Sequence, residues 1–495
     1  MNTLADIQAN ALIGVWGLGV VGRSVITFLV HNKNSFSDTK IEIFDKRPLT
    51  ESEISWCNNN GVAIAHDIHQ FLEHNDTIII SPGVNIDAIY EQYAHKWVSE
   101  LDLFGHYCTR SLISITGTVG KTSITTLLSD ILLASGKKVA VGGNIGIACL
   151  DLITKQELET PNKQEHNQHK KQYSTHMQYV VLEVSSFQLA YTRCYAPDIA
   201  VLTNFSPNHI DWHNTQAAYF EAKLKQFVHQ KVGQKALIPF ALKKTIAATC
   251  VLKSICYFFS PIKPTEQELT ELKTGETLFY IDNKTIYTLT RSSPITDRSN
   301  THAHAHNYAY TPLLSIADLP AITFDCNWLI ICSVLSIIGF DCATLPGLTG
   351  NLAVPEHRLE KCAHTNNVTI YNDSKATTIA STLAAVNQLQ PHPLLLILGG
   401  LSKGVDRAPL CEQLKGKVKK VYTFGAESAH LKKMCEQYLI PAEQCESLEE
   451  VVKKSIDDSV SGDQILFSPA GSSFDLFKDY AHRGNVFKEL VKKRV

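Results

Sequence analysis

A glycine loop between a strand-like and a helix-like segment constrains the fold of this chain more than any other feature. The apolar run Ser111–Ile115 predicts a buried strand, and the sequence continues as Ile115-Thr-Gly-Thr-Val-Gly-Lys-Thr122. The strict phosphate-loop pattern has glycine at the Ile115 position, so this is a shortened form that keeps two glycines, the lysine and the threonine. Backbone N–H groups of such a loop bind phosphate oxygens, its lysine reaches the β- and γ-phosphates, and its hydroxyl can bind Mg²⁺. The loop therefore predicts a nucleotide-phosphate site on a parallel α/β sheet.

Strand-like and helix-like segments alternate along the whole chain of 495 residues, a length typical of about three domains. This alternation indicates βαβ units around parallel sheets. We expect three α/β domains with the bounds 1–107, 108–354 and 355–495, a surface insertion at 155–175 and an irregular segment at 291–311. The predicted strands are Ala11–Trp16, Ile41–Phe44, Thr77–Ile80, Ser111–Ile115, Tyr179–Leu182, Ile199–Thr203, Val368–Tyr371, Pro393–Leu398, Val418–Phe424 and Gln464–Phe467.

A second glycine turn, Gly17-x-Gly19-x-x-Gly22, follows the first predicted strand and opens a helix at about Val20–Val30. Glycines at these positions let the backbone turn tightly and approach a diphosphate at the helix N-terminus. Asp45, at the end of the next strand, is placed to accept hydrogen bonds from a ribose or a base. The alternative is a turn that serves only packing, and the motif does not distinguish a dinucleotide from a UDP-linked ligand.

Two polar groups follow predicted strands of the second segment. Glu183 ends the strand before Val-Ser-Ser-Phe-Gln-Leu, where its carboxylate suits Mg²⁺. Without the phosphate loop upstream, a capping or ion-paired glutamate would fit at least as well. His209 lies in the polar cluster Asn204–Asp211, and only those neighbours favour a functional role over a structural one.

Composition and charge exclude several classes of protein. The net charge of −2 predicts no basic surface for nucleic acid or anionic membrane. The 13 cysteines are odd in number and lack C-x-x-C spacing, which predicts reduced thiols in a reducing cytosol. The N-terminus lacks a secretory pattern, and the apolar run Trp328–Phe340 is too short to span a bilayer. The alternating histidines His302, His304 and His306 could bind a metal, but their small polar neighbours favour an exposed loop. We expect a cytoplasmic monomer without nucleic-acid or membrane partners.

Together these motifs resemble the Mur ligase family along nearly the whole chain. Within that family, the Ser-Ser-Phe-Gln-Leu stretch, the Asn-Asp-Ser-Lys-Ala-Thr loop and the N-terminal glycine turn resemble the branch that adds D-glutamate. The Asp-Asn-Pro-Arg signature of the diaminopimelate-adding branch is absent. The motifs that carry the resemblance are Thr116–Ser123, Gly142–Gly146, Glu183–Leu189, Asn204–Asp211, His357-Arg358, Asn372–Thr377, Gly399–Lys403 and Ser468–Ser473.

The resemblance implies a fold and a reaction. It implies an N-terminal Rossmann-like domain that binds UDP, a central P-loop ATPase-type domain that binds ATP and Mg²⁺, and a C-terminal Rossmann-like domain that binds the incoming amino acid. The implied substrates are ATP, UDP-N-acetylmuramoyl-L-alanine and D-glutamate, joined in peptidoglycan precursor synthesis. The acceptor carboxylate would attack the γ-phosphate of ATP to give an acyl phosphate, which the amine of D-glutamate would then attack.

The resemblance also implies roles for the residues at matching positions. The catalytic residues would be Lys121, Glu183, His209 and Lys223. Two Mg²⁺ ions would be held by Thr122, Glu183, His209 and Lys223, the last as a carbamate. ATP would contact Gly117, Thr118, Val119, Gly120, Lys121, Thr122, Ser123, Asn327, Arg358, Asp373 and Lys375. The acceptor would contact Gly19, Val20, Val21, Gly22, Asp45, Arg47, Ser81, Gly83, Asn144 and His209. D-Glutamate would contact Thr377, Lys403, Ser473 and Tyr480, and a lysine with hydroxyls suits a dicarboxylate.

The chain departs from the family pattern at several positions. Val119 replaces the usual asparagine of the loop, and Asn208 stands where this branch usually has aspartate. The adenine-side motif Gly-x-His-Asn-x-x-Asn corresponds to Phe324–Ile330, where only Asn327 survives. Alternatives are therefore a ligase for another amino acid, a folylpolyglutamate-type ligase, or a degenerate regulatory homologue. From other classes, a nicotinamide-dependent dehydrogenase would use the N-terminal glycine turn, and a P-loop switch or motor would use the phosphate loop.

Overall fold

Three β-sheets flanked by helices make up the protein in a computed structural model, which describes residues 11–32, 39–154, 178–292, 308–320, 325–349 and 356–495. The strands of the first sheet lie between residues 12 and 99, those of the second between 111 and 315, and those of the third between 360 and 467. Most neighbouring strands within each sheet are parallel, so the α/β class predicted from the sequence is confirmed.

The first sheet has five parallel strands: β1 (Leu12–Trp16), β2 (Lys40–Phe44), β3 (Val62–Ile64), β4 (Thr77–Ile80) and β5 (Trp97–Ser99). Its helices are α1 (Val20–His31), α2 (Glu51–Asn59), α3 (Ile68–His74) and α4 (Glu100–Tyr107). The strand order is β3-β2-β1-β4-β5. The order reverses beside β1, and ligands of open α/β sheets bind at such a point, outside the carboxyl ends of the strands.

The second sheet has nine strands: β6 (Ser111–Thr116), β7 (Val139–Gly143), β8 (Tyr179–Glu183), β9 (Ile199–Leu202), β10 (Lys235–Pro239), β11 (Ile255–Ser260), β12 (Thr277–Asp282), β13 (Thr285–Arg291) and β14 (Tyr308–Ser315). The order is β14-β13-β12-β11-β10-β9-β6-β8-β7, with antiparallel pairing only among β12, β13 and β14. The helices are α5 (Lys121–Ala134), α6 (Ser186–Ala190), α7 (Ile210–His213), α8 (Gln216–Val228), α9 (Lys243–Thr249), α10 (Glu266–Leu269), α11 (Asp325–Ile337) and α12 (Leu345–Thr349).

The third sheet has six strands: β15 (Glu360–Thr365), β16 (Val368–Asn372), β17 (Leu394–Gly399), β18 (Lys420–Phe424), β19 (Ala442–Gln444) and β20 (Gln464–Phe467). The order is β15-β16-β20-β17-β18-β19, and only the β15–β16 pair is antiparallel. The helices are α13 (Ile379–Gln388), α14 (Ala408–Leu414), α15 (Ser428–Gln437), α16 (Leu448–Asp457) and α17 (Tyr480–Lys492).

Burial explains why the strands were readable in the sequence. Strands β6, β8 and β9 are buried at almost every position, as expected for parallel strands covered on both faces. Helix α11 is also buried nearly all round and shares one apolar cluster with α5. The ten predicted strands all occur, with ends that shift by at most two residues.

Some sequence predictions fall outside the described residues. The segment 155–175, most of the segment 291–311, the three alternating histidines and the 354/355 boundary lie there. The domain bounds 1–107, 108–354 and 355–495 stay predictions, with one sheet inside each. No helix within the described ranges is long and apolar enough to cross a membrane.

Helix α15 ends in a left-handed residue that is not glycine. Leu439 has φ +60° and is 79% exposed, while Ile440 N–H donates to the Cys435 carbonyl at 3.0 Å in a helix-ending turn. Because a Cβ is strained in this conformation, Leu439→Gly should be more stable than Leu439→Ala by about 1 kcal/mol. Urea unfolding of the two full-length variants measures the difference. An alanine variant at least as stable as the glycine variant would contradict this assignment of strain.

Candidate functional site

The phosphate loop lies between β6 and α5 and is held in an open turn. Gly117 has φ +148° and Gly120 has φ +86°, and a Cβ on Gly117 would collide with the hydroxyl of Thr203. Asn204 fixes the tip, because its Oδ1 accepts from Val119 N–H at 2.9 Å and its Nδ2 donates to the Val119 carbonyl at 2.9 Å. Replacement of the usual loop asparagine by Val119 therefore leaves this backbone contact intact.

Two lysines donate to the same carbonyl oxygen of the loop. Lys121 Nζ lies 2.9 Å from Gly117 O and 3.0 Å from Thr118 O, and Lys223 Nζ lies 2.8 Å from Gly117 O. Lys223 comes from α8 and is only 1% exposed, with its ammonium 4.5 Å from the centre of the Tyr219 ring. Burial lowers the pKa of both lysines, and the charge of Lys121 adds to the effect on Lys223.

Glu183 ends β8 beside this pair of lysines. It is 2% exposed, and its Oε1 accepts from Asn144 Nδ2 at 2.9 Å. Its Oε2 is buried and has no hydrogen-bond partner. The backbone carbonyl of Glu183 accepts from Asn144 N–H at 2.8 Å. Asn144 therefore orients the glutamate while one carboxylate oxygen remains available to a ligand.

His209 lies after β9 in a left-handed conformation, with φ +54°. Its ring makes edge contacts with Phe187, at 4.8 Å between centroids, and with Tyr219, at 6.1 Å. Burial, together with the charges of Lys403 and Lys121, lowers the pKa of His209 to about 2. The imidazole is therefore neutral near pH 7, the state in which a histidine nitrogen can ligate a metal.

The third sheet contributes charged residues to the same place. Burial lowers the pKa of Arg358, while the charges of Glu183 and Asp373 act in the opposite direction. Lys375 Nζ lies 3.8 Å from the centroid of the Tyr480 ring, and burial with the charge of Arg358 lowers the pKa of Lys375 to about 7. The side chains predicted to bind ATP from two different sheets therefore converge on Glu183.

Asp373 is the buried acidic member of this group. Its Oδ2 accepts from Ser468 Oγ at 2.7 Å, and its Oδ1 accepts from Leu359 N–H at 3.1 Å. Burial raises the pKa of Asp373 to about 7, and these hydrogen bonds with the charge of Arg358 oppose that rise. The carboxyl group thus ties the loop after β16 to the loop after β20.

Lys403 reaches the site from the loop after β17, with φ +56°. Burial and the charge of Lys121 lower the pKa of Lys403 to about 8, so the two ammonium groups lie close enough to repel each other. A cleft of about 860 Å³ beside this loop is lined by Thr377 and Asn208, among other residues of the second and third sheets. Ser473 is buried at the end of the β20 loop.

The N-terminal glycine turn is closely packed between β1 and α1. A Cβ on Gly22 would collide with the carbonyl of Gly17, so the third glycine permits the close packing of α1 on the turn. Ser81 Oγ donates to the Gly17 carbonyl at 2.9 Å, which joins the loops after β1 and β4. The neighbouring positions Gly19, Val20 and Gly83 are exposed, and Val21 is partly exposed.

The structure gives two predicted UDP contacts internal partners. Asp45 Oδ2 accepts from Leu18 N–H at 2.8 Å, and its Oδ1 accepts from Arg47 N–H at 3.1 Å. The Arg47 guanidinium makes a two-point ion pair with Glu53, at 2.7 and 2.8 Å. A hydrogen bond from Arg47 holds the pKa of Glu53 well below its usual range. Asp45 therefore fixes the glycine turn, while the Arg47 guanidinium is held against α2.

Asn327 begins the buried part of α11. Its Oδ1 lies 2.8 Å from the position that a Cβ of Gly120 would occupy, so its amide packs directly on the phosphate loop. Ile330, one turn later, is 1% exposed in the apolar core. The surviving asparagine of the eroded motif is thus beside the loop, while Phe324 lies outside the described residues.

Two residues of the site were not recognised from the sequence. Arg483 of α17 is fully buried and donates to the Ser374 carbonyl at 2.8 Å and to the Gly471 carbonyl at 3.0 Å, which binds two site loops together. A single arginine in an amphipathic helix gives no signal of this role. Asn204 lay within a recognised motif, but its hold on the phosphate loop is a long-range contact.

The residues present fit Mg²⁺ only in part. Glu183 offers one buried oxygen without a partner, and the Thr122 hydroxyl and the His209 imidazole are further possible ligands. Among the described residues there is no group of three or more His, Cys, Asp and Glu side chains that could hold a metal. The carbamate of Lys223 that the family resemblance implies would add a second carboxylate-type ligand, and it stays a prediction.

Comparisons with known proteins identify the family. Residues 115–282 match the Mur ligase middle domain, and residues 357–471 match the Mur ligase glutamate ligase domain. The chain is 30% identical to a UDP-N-acetylmuramoylalanine–D-glutamate ligase of Koribacter versatilis, over 99% of this chain and 98% of that protein. It is 29% identical to the protein of the same name from Acetivibrio thermocellus, over 97% and 96% of the two chains.

Two solved structures from Thermotoga maritima share the fold. The UDP-N-acetylmuramate-alanine ligase MurC superposes with a TM-score of 0.52 at 15% identity, over 98% of this chain and 100% of that chain. A MurF ligase in complex with ADP superposes with a TM-score of 0.51 at 15% identity, over 92% and 96%. At these identities the similarity concerns the fold alone.

The buried lysines around the phosphate loop predict that a polyphosphate binds without any nucleoside. Inorganic tripolyphosphate at 1 mM should raise the melting temperature of the protein by about 3 °C, because it offsets their mutual repulsion. Lys121→Met should lose most of that shift. Lys231→Met, at an exposed position between α8 and β10, is the matched control and should keep the shift in melting temperature. Equal shifts in both variants would contradict the assignment of the phosphate site.

Proposed function

The chain belongs to the Mur ligase family, and we propose that it adds D-glutamate to UDP-N-acetylmuramoyl-L-alanine in an ATP-dependent reaction of peptidoglycan precursor synthesis. Relatives that carry the name of that ligase align with nearly the full length of this chain. We further propose that it acts as a cytoplasmic monomer. The residues predicted for ATP, acceptor and D-glutamate form a single proposed active site between the three sheets.

One observation carries the proposal. The charge of Glu183 opposes the lowering of the pKa by burial at both Lys121, from the second sheet, and Lys375, from the third. Lysines from two sheets therefore lie near one glutamate that has a free oxygen. A dehydrogenase built on the N-terminal glycine turn would give these lysines no task, and a simple P-loop switch would not need Lys403. A ligase needs them, because a carboxylate must approach a triphosphate and both are anions.

The first chemical step is attack by the L-alanyl carboxylate on the γ-phosphate of ATP. The bond from the γ-phosphorus to the bridging oxygen breaks, ADP leaves, and an acyl phosphate forms. Lys121 would reach the γ-phosphate, and the N–H groups of the loop would bind the phosphate oxygens. Asn144 and His209 would orient the acceptor so that its carboxylate lies in line with the leaving group.

The second step joins D-glutamate to the activated carbonyl. The uncharged amine attacks the carbonyl carbon and a tetrahedral intermediate forms. Its nitrogen loses a proton, and phosphate leaves as the amide forms. Lys403 would bind a carboxylate of D-glutamate, with Thr377, Ser473 and Tyr480 around it. Closure of the cleft between the second and third sheets would exclude water, which would otherwise hydrolyse the acyl phosphate.

Two Mg²⁺ ions would be held in this site by Thr122, Glu183, His209 and a carbamylated Lys223. When bound, they would screen the negative charge of the triphosphate and the attacking carboxylate. The free oxygen of Glu183 and the neutral imidazole of His209 support this arrangement. The burial of Lys223 beside Gly117 O supports the carbamate, because an ammonium there has no anionic partner among the hydrogen bonds of the described residues.

Carbamylation of Lys223 can be tested directly. In buffer with ¹³C-bicarbonate, the protein should show a carbamate carbon resonance that is absent from Lys223→Ala. The matched control is Lys225→Ala, two residues along the same helix, which should keep the resonance. A spectrum without a carbamate signal in the Mg²⁺-loaded protein would remove Lys223 from the metal ligands while leaving the phosphate loop unaffected.

The proposed function is tested by phosphate release from ATP with UDP-N-acetylmuramoyl-L-alanine across a panel of D- and L-amino acids. We expect release that requires both the acceptor and D-glutamate, and Lys121→Ala should abolish it. Release with another amino acid would keep the mechanism and change the specificity. Folded protein that releases no phosphate with any combination would contradict the proposal.

A further inference from the structure

The loop that carries Lys403 holds an unfavourable backbone conformation. Lys403 has φ +56°, between Gly400 at φ +68° and Gly404 at φ +74°. A left-handed residue with a side chain costs about 1–2 kcal/mol relative to the right-handed region. Other parts of the molecule must therefore hold this loop in place.

Arg407 folds back onto the start of that loop. It is only 2% exposed, and its guanidinium donates to the Gly400 carbonyl at 2.9 Å and to the Gly399 carbonyl at 3.4 Å. Its Nε is buried and has no hydrogen-bond partner. Burial of a guanidinium group destabilises the folded protein unless the group is paired and hydrogen-bonded. The contacts of Arg407 therefore matter more than the space that its side chain fills.

Glu427 holds the other end of the loop. Its Oε1 accepts from Ser402 N–H at 2.9 Å, and its Oε2 lies 3.8 Å from Arg407 Nη2. Arg407 and Glu427 therefore form one charged pair that binds the peptide groups on both sides of Leu401. Lys403 directly follows Ser402, so this pair fixes the backbone on the N-terminal side of Lys403.

The held loop reaches the second sheet. A Cβ on Gly404 would lie 3.5 Å from Asp211 N, so the loop is in contact with the start of α7. Asp211 and Lys121 both influence the pKa of Lys403, which places its ammonium at the meeting point of the two sheets. A shift of about 1 Å in such a loop can change a rate or an affinity by up to about 100-fold.

We propose that Arg407, paired with Glu427, is a positioning residue that sets the place of Lys403 and thereby the affinity for D-glutamate. This inference rests on the proposed function, in which Lys403 binds a carboxylate of the incoming amino acid. Arg407 acts through the carbonyls of Gly399 and Gly400. The other two substrates bind elsewhere, so their apparent affinities are independent of Arg407.

Steady-state kinetics of the full chain separates positioning from general damage. Arg407→Met should raise the KM for D-glutamate by about tenfold or more, while kcat and the KM values for ATP and the acceptor change by less than about threefold. Arg407→Lys should recover part of the loss, since it keeps the charge and one donor. Arg494→Met removes an arginine just beyond the C-terminal end of α17 that lies 4.0 Å from Glu449, and should leave every constant unchanged.

Hydrogen exchange of the peptide 399–406 gives a readout that does not depend on activity. Arg407→Met should speed exchange in this peptide and not in the phosphate-loop peptide, and Arg407→Lys should be intermediate. Wild-type protein that uses no D-glutamate would contradict the proposed function. Unchanged exchange in Arg407→Met, whatever the kinetics, would overturn the role of Arg407 in holding the loop. Faster exchange with an unchanged KM for D-glutamate, or an equal rise in all three KM values, would overturn the positioning role.

Discussion

The hydrogen bonds that Lys121 and Lys223 donate to the carbonyl oxygen of Gly117 hold both lysines against the phosphate loop, and the charge balance of the site depends on this contact. They bring two amines together in a buried place, where repulsion between charges is stronger than in water and favours loss of the proton from Lys223, the form that carbamylation requires. Glu183 offsets only part of this charge, and Lys375 and Lys403 add more from the third sheet. Such a site favours polyanionic ligands, so the electrostatics of the fold and the chemistry of an ATP-dependent ligase require the same arrangement.

Unusual backbone conformations occur where the chain forms the phosphate loop and presents the functional groups of the site. Gly117, His209 and Lys403 all lie at positive φ, and each follows a strand at the carboxyl edge of its sheet. Long-range contacts hold them, such as those of Asn204 with Val119 and of Arg407 with Gly400. Strain of this kind is common where side chains are held for function, because the surrounding structure determines the conformation.

The fold was largely readable from the sequence because parallel strands are buried on both faces and appear as continuous apolar runs. The phosphate loop was readable as well, since its glycines, lysine and threonine are adjacent in the chain. The contacts of Asp45 with Leu18, of Arg483 with Ser374 and of Arg407 with Gly399 were not predicted. They join loops that only tertiary packing brings together, and isolated arginines in polar segments carry no periodic signal.

If the acceptor carboxylate forms an acyl phosphate, one of its oxygens must leave with the phosphate. The acceptor would be labelled with ¹⁸O in both oxygens of its L-alanyl carboxylate and incubated with the protein, ATP, Mg²⁺ and D-glutamate. We expect each phosphate released to carry one ¹⁸O atom and each amide product to retain one. Amide formed together with phosphate that carries no ¹⁸O, the second label appearing in water or in AMP, would contradict activation of the carboxylate by transfer of the γ-phosphate.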